Sequence, residues 1–426
     1  MSTPSSTGPH INGDRLRERL NAMAEIGATP GGGVTRLALT DEDRAARDLL
    51  ARWMENAGLK VRVDDVGNMT GERAGRGSAP PMLIGSHLDT VIKGGRFDGA
   101  LGVLAALEVL ETLNDLGLET NQPVALVNWT NEEGVRFEPA MTCAGLAAGR
   151  FTRSELYNKT DRAGLRFEDE LRRIGYLGDE RHRPLPASAY LELHIEQGPV
   201  LEAADVPIGI VGGIVGIVWS EVTITGQADH AGPSPMHLRH DALVAAAHII
   251  AGIERIAIEQ DATAVATVGR LAIHPNIINT QPGLAVFSAD FRHQDPQVLE
   301  RQVERLRSLV GRVCAERGVD GSVDRFWTSE PTPFDPHVVG AVRSAVMSLG
   351  IPSRELWSGA GHDAKYVADR CPSGMIFIRS QGGLSHCETE FSLPEDVEAG
   401  ANVLLRATLA LAGQGRHDAK GDGRAS

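Results

Sequence analysis

Apolar residues recur at helical spacing in two early stretches, about 14–27 and 40–57. Thr40 stands just before Asp-Glu-Asp-Arg, with Asp43 three positions on. The second helix is therefore expected to open on something close to a capping box. Four apolar runs then read as strands: LKVRVDDVG, MLIGS, VALVNW and YLELHI. Between the second and third lies GALGVLAALEVLETLNDLG. Its Leu101, Leu104, Leu107, Val109 and Leu113 suit a well-buried helix, and Gly117 suits the end of it. Strands separated by helices imply an α/β domain with a partly parallel sheet.

The texture changes around Gly212. IVGGIVGIVWSEVTITGQ leads into an alternating strand, and a helix follows over about 241–259. Strand-like ATVGRLAI and LAVFSADFRH, the helical VLERQVERLRSLVGRVCAERG and strand-like VDGSVDRFWT complete an order close to β-α-β-β-α-β. That order predicts a compact α+β sandwich of one antiparallel sheet and two helices. After Pro331 the pattern gives a helix over 336–349, a loop SGAGHDA, a strand GMIFIRS and a long last helix from 394. The expected organisation is a small domain over 214–329 inserted into a discontinuous larger one, 1–213 and 330–412, whose mixed sheet is flanked by helices. The first ten residues and residues 413–426 read as floppy ends.

The chain has 426 residues, 42% of them hydrophobic and 23% charged, which is an ordinary globular composition. Its 42 basic against 56 acidic residues argue against nucleic acid as a general partner. Cys143, Cys314, Cys371 and Cys387 are few and scattered, with no CxxC, so a reducing compartment such as the cytoplasm fits best. No membrane span or signal-type apolar core is expected.

Ligand-type residues fall just after the apolar runs. His87 and Asp89 follow MLIGS, Glu132 and Glu133 follow VALVNW, and His194 lies in YLELHIEQG. His386 lies in a loop after GMIFIRS, and Asp98 stands just before the buried helix. In open α/β sheets, functional loops gather at the carboxyl ends of strands. A lone loop histidine is usually only that, and a lone glutamate pair is usually solvated surface. Together, three imidazoles with carboxylates are the donors expected for Zn²⁺, Mn²⁺ or Co²⁺. Two metals close together need one carboxylate to bridge them, and a further carboxylate can serve as a base. A dinucleotide-binding reading fails because no GxGxxG lies between a strand and a helix with an acid about 20 residues on.

These residues also carry a family resemblance. GSHLDTVIKGGRFDGALGV, NEEGVRF, LELHIEQGPVLE, GQADHAGPSPM, NTQPG, DFRH, SGAGHDA and SQGGLSHCETE run from residue 85 to 390. In that order they resemble the amidase, hydantoinase and carbamoylase group of the dinuclear-metal aminoacylase and carboxypeptidase family. The resemblance implies a catalytic α/β domain interrupted by a lid or dimerisation domain, and a homodimer. It implies that His87, Asp98 and His194 bind one divalent metal. Asp98, Glu133 and His386 would bind a second, with Asp98 bridging. Glu132 would be the general base, and Asp89 would orient the His87 imidazole from behind. His230 would polarise the scissile carbonyl when the lid closes, often from the neighbouring subunit. Asn279 and Arg292 would clamp the substrate α-carboxylate, and Gln197 would contact the ureido group.

The expected reaction is hydrolysis of the N-carbamoyl group of an N-carbamoyl-L-amino acid to the amino acid, CO₂ and NH₃. Allantoate and β-ureidopropionate are the alternatives, because each offers a ureido carbonyl and a carboxylate. A scaffold protein that had kept the fold would be expected to have lost a ligand or the base, and no such loss is seen.

Overall fold

The computed structural model describes residues 8–413, so the reading of a floppy start over residues 1–7 and of a tail over 414–426 lies outside the described residues. The described residues fall into two compact units, one of residues 8–212 with 334–413, the other of 213–333.

The larger unit is built on a mixed sheet. From one edge its strands run Lys60–Val63, Met69–Arg73, Val124–Trp129, Met82–His87, Ala189–Ile195, Ser373–Ile378 and Ile208–Ile214. The four from Val124–Trp129 to Ser373–Ile378 are parallel, and antiparallel strands close both sides. Every residue of those four strands is buried. That explains their unbroken apolar texture, because parallel strands are covered on both faces. The helices Ala100–Asp115 and Pro394–Ala412 pack on these strands.

Local signals place the helix starts well. The second helix is Asp41–Asn56, and Thr40 Oγ1 accepts the Asp43 N–H at 3.3 Å. The Asp43 carboxylate reaches back to the Leu39 N–H at 2.7 Å, one residue earlier than a capping box requires. The pattern gives no element over 142–173, where the structure has three short helices, Thr142–Ala147, Arg153–Tyr157 and Phe167–Arg173. They close around Phe137, Phe167 and Leu171, an apolar cluster whose members are scattered in sequence. Ser353–Ser358 is a further strand with no clear apolar pattern, since half of it is exposed.

The smaller unit has a five-stranded antiparallel sheet. Leu271–His274, Leu284–His293, Gly216–Thr225 and Asp320–Ser329 lie side by side, with Val265–Thr267 also on Leu284–His293. Burial alternates strictly along Leu284–His293. Phe287 and Phe291 on its inner face meet the helices Ala242–Ile258 and Pro296–Arg317 in one core. No described helix is long and apolar enough to cross a membrane.

Candidate metal centre

Parallel strands share a direction, so their carboxyl ends share one edge of the sheet. Here that edge gathers the ligand-type residues. His87 ends Met82–His87 and pairs with Trp129, which ends its neighbour three residues before Glu132. His194 lies at the end of Ala189–Ile195, paired in register with Phe377. From Ser373–Ile378 the chain continues to His386, which takes a left-handed φ of 54°. Gly99, at φ 64°, turns the chain into the helix Ala100–Asp115 and leaves Asp98 facing the strand ends.

Asp98 is the hub. Its Oδ1 lies 3.2 Å from His194 Nε2 and 3.7 Å from His87 Nε2. Its Oδ2 lies 3.4 Å from His386 Nε2, which is also 3.5 Å from Glu133 Oε2. Two donor groups result, His87–Asp98–His194 and Asp98–Glu133–His386, each with its ligand atoms within 4.8 Å of one another. Donors on a tetrahedral ion, each about 2.0–2.2 Å from it, stand roughly 3.3 Å apart. The observed spacings fit that value.

The imidazole tautomers fit as well. His87 Nδ1 donates to the Asp89 backbone carbonyl at 2.9 Å, and His194 Nδ1 donates to the Ile195 carbonyl at 2.9 Å. Each bond engages Nδ1, so Nε2 is the ring nitrogen turned toward Asp98. This corrects the expected part of Asp89. Its main-chain oxygen, not its carboxylate, orients the His87 ring. The carboxylate instead accepts the backbone N–H groups of Glu132 and Glu133, each at 3.2 Å, and so shapes the turn that carries them.

The electrostatics call for cations. Asp89, Asp98, Glu132 and Asp363 are buried, and Glu133 Oε1 is buried without a hydrogen-bond partner among the described residues. Burial, then Asp363 and Glu133, hold the Glu132 carboxyl well above its ordinary range. Burial and Asp98 do the same to Glu133. Burial takes His87 down to about 4. Burial also lowers His194, but Asp98 outweighs it and leaves this imidazole at about 9. Buried carboxylates crowded in this way either hold protons or face positive charge, so cations at the two donor groups would let them ionise.

A profile of the peptidase family M20/M25/M40 matches residues 83–410. The chain belongs to the M20 family. It is 44% identical to an N-carbamoyl-L-amino-acid amidohydrolase of Rhizobium meliloti, over 94% of this chain and 96% of that one. It is 41% identical to the N-carbamoyl-L-amino acid amidohydrolase of Geobacillus stearothermophilus, over 94% and 99%. The crystal structure of an amidase of the hydantoinase/carbamoylase family from Burkholderia multivorans superposes with a TM-score of 0.92 at 48% identity, over 95% and 98%.

The remaining candidates of this M20 chain divide between the two units. Gln197, at φ 59°, donates Nε2 to Asp98 Oδ2 at 2.8 Å, and its Oε1 is buried without a partner among the described residues. In the smaller unit, His230 is exposed and pairs with Thr280 across two short strands. There the Ala231 N–H donates to the Asn279 carbonyl at 3.0 Å. Arg292 lies on Leu284–His293, where Asp290 holds its guanidinium at 2.8 Å.

Three neighbours of the centre, Ser385, Glu390 and His362, lie in the quoted segments, but the sequence assigns them no role. The Glu390 carboxylate and the Ser385 hydroxyl both reach the Asp98 segment, and sequence does not separate Glu390 from Glu388 beside it. His362 packs its ring 4.5 Å from that of His194. Glu192, His194 and His362 form a third donor group, but its members are already engaged. Ser86 and Tyr190 occupy Glu192, Ser358 occupies His362, and His194 faces Asp98.

Proposed function

We propose that the protein hydrolyses the N-carbamoyl group of N-carbamoyl-L-amino acids, releasing the L-amino acid, CO₂ and NH₃. The observation that carries this reading is Asp98, whose two oxygens face separate imidazole groups in a chain so close to two amidohydrolases of that name. His87, Asp98 and His194 would hold one divalent ion, and Asp98, Glu133 and His386 the other. Zn²⁺, Mn²⁺ or Co²⁺ bound there supplies a lowered water pKa and a positive field for the carbonyl oxygen.

The chain's own groups do the rest. Glu132 Oε2, 3.7 Å from His87 Nε2, takes the proton of the attacking water and passes it to the leaving nitrogen. The carbamate released then breaks down to CO₂ and NH₃. Gln197 Oε1 accepts a ureido N–H, since its Nε2 is committed to Asp98. Asn279 and Arg292 receive the α-carboxylate, with Asp290 presetting the guanidinium fork. His230 stabilises the developing oxyanion. The 213–333 unit acts as lid and dimerisation module of a homodimer.

A substrate panel assayed for ammonia tests the proposal, with each divalent metal restored after chelation. It includes L- and D-carbamoyl-amino acids, allantoate, β-ureidopropionate and dipeptides. Metal-dependent ammonia release from the L-carbamoyl-amino acids is expected. Turnover of allantoate alone would replace the reading with the allantoate alternative. Cleavage of dipeptides without ammonia release from any ureide would remove it.

A further inference from the structure

We infer that Glu390 is a positioning residue that locks the two ligand-bearing loops of the metal centre in register, so that the ion on the His386 side is held at full affinity only while this lock is intact. The inference rests on the dinuclear reading above. Glu390 is 3% exposed. Its Oε1 accepts the backbone N–H groups of Phe97 and Asp98, each at 3.1 Å. Its Oε2 accepts the Ser385 hydroxyl at 2.8 Å, and that hydroxyl also lies 3.1 Å from Asp98 Oδ2. One carboxylate thus ties the main chain of the Asp98 turn to the loop that carries His386. The fit is close, because a Cβ at Gly95 would overlap the Glu390 carboxyl.

The two sides of the centre differ in how much they need such a tie. The His87 and His194 side chains are 1% exposed, lie at strand ends and have Nδ1 fixed by backbone carbonyls. His386 is 52% exposed, sits in a loop at positive φ, and has no such carbonyl among the described residues. A strained loop residue keeps its conformation only when its surroundings impose it. Glu390 and Ser385 supply that constraint, and the Ser385 hydroxyl held by Glu390 lies against Oδ2, the Asp98 oxygen that faces His386. Groups that orient ligands are worth about 10–100-fold in metal affinity.

The test counts Zn²⁺ per full-length chain by equilibrium dialysis against buffered free metal, with atomic absorption as the readout. Wild type is expected to hold two ions. Glu390→Ala is expected to keep one at unchanged affinity and to bind the other about 10–100-fold more weakly. Glu390→Gln should still hold two, because an amide oxygen accepts the same two backbone N–H groups. Two ions at wild-type affinity in Glu390→Ala would overturn the lock, and so would equal weakening of both. Should Glu390→Ala fail to fold, Ser385→Ala decides the matter. Selective weakening of one ion supports the lock, and unchanged affinity for both refutes it. A wild-type chain that binds a single ion overturns the dinuclear reading and the lock with it. Two ions bound at equal affinities in wild type and Glu390→Ala overturn the lock alone.

Discussion

A carboxylate with two oxygens facing different imidazoles is an uncommon use of one aspartate, and at Asp98 the cost of burying it is met from both sides. Its pKa is held well below the ordinary carboxylate range although burial pushes the other way, because His194 and His386 lie against it. Glu132 and Glu133 are adjacent in sequence but face different partners, His87 and His386 respectively. This division predicts that Glu132→Gln will retain nearly normal metal content while kcat falls by about 10²–10⁴-fold, the usual span for a lost general base. Ammonia release measured beside metal content checks it, and full activity would remove Glu132 from the mechanism. Arg292→Ala should raise KM by roughly tenfold or more for substrates with a free carboxylate, the loss expected for a charged hydrogen-bonded pair. A neutral ureide should be affected much less, and equal loss on both would exclude a carboxylate clamp.

At the scale of elements, the centre depends on what happens where strands stop. Four parallel strands end at one edge, and each is followed by a turn that carries donors. In the turn into Ala100–Asp115, Gly99 has a positive φ and a Cβ there would meet the His87 ring. Gly99→Ala would place a methyl group on that ring and force a left-handed residue at a cost of about 1–2 kcal/mol. It is expected to displace His87 and abolish binding of the ion on that side, which metal content after dialysis reads directly. An alanine variant with two bound ions would show that the turn relaxes without moving His87.

For the whole molecule, the metal centre joins segments from residue 87 to residue 386, so ions held there oppose unfolding of the larger unit. Free metal at about 100 times its dissociation constant should stabilise the chain by roughly 2.7 kcal/mol per site. A chelated sample is therefore expected to melt at lower temperature and to recover on restoring metal. A melting temperature indifferent to metal would argue against ions in these sites. The proposed dimer has its own test. His230 variants mixed with metal-site variants should regain activity in hybrid dimers if the histidine acts across subunits. No recovery in confirmed hybrids would place its action within one chain, or nowhere.

The sequence by itself determined the elements whose signals are local. Helix starts at Thr40 and Asp241, the fully apolar runs of the parallel strands and the alternation along Leu284–His293 all follow from neighbours in the chain. Residue types at strand ends likewise mark where donors gather. Tertiary structure decided what depends on distant partners. The helices over 142–173 are specified by a cluster that exists only after folding. The carbonyl rather than the carboxylate of Asp89 meets His87, because the side chain is drawn to the backbone of Glu132 and Glu133 more than forty residues on. Glu390 differs from Glu388 only in what folding brings beside it. Periodicity records which face of an element is buried, whereas the direction of a single polar atom is set by whichever donor or acceptor the whole fold delivers within about 3 Å.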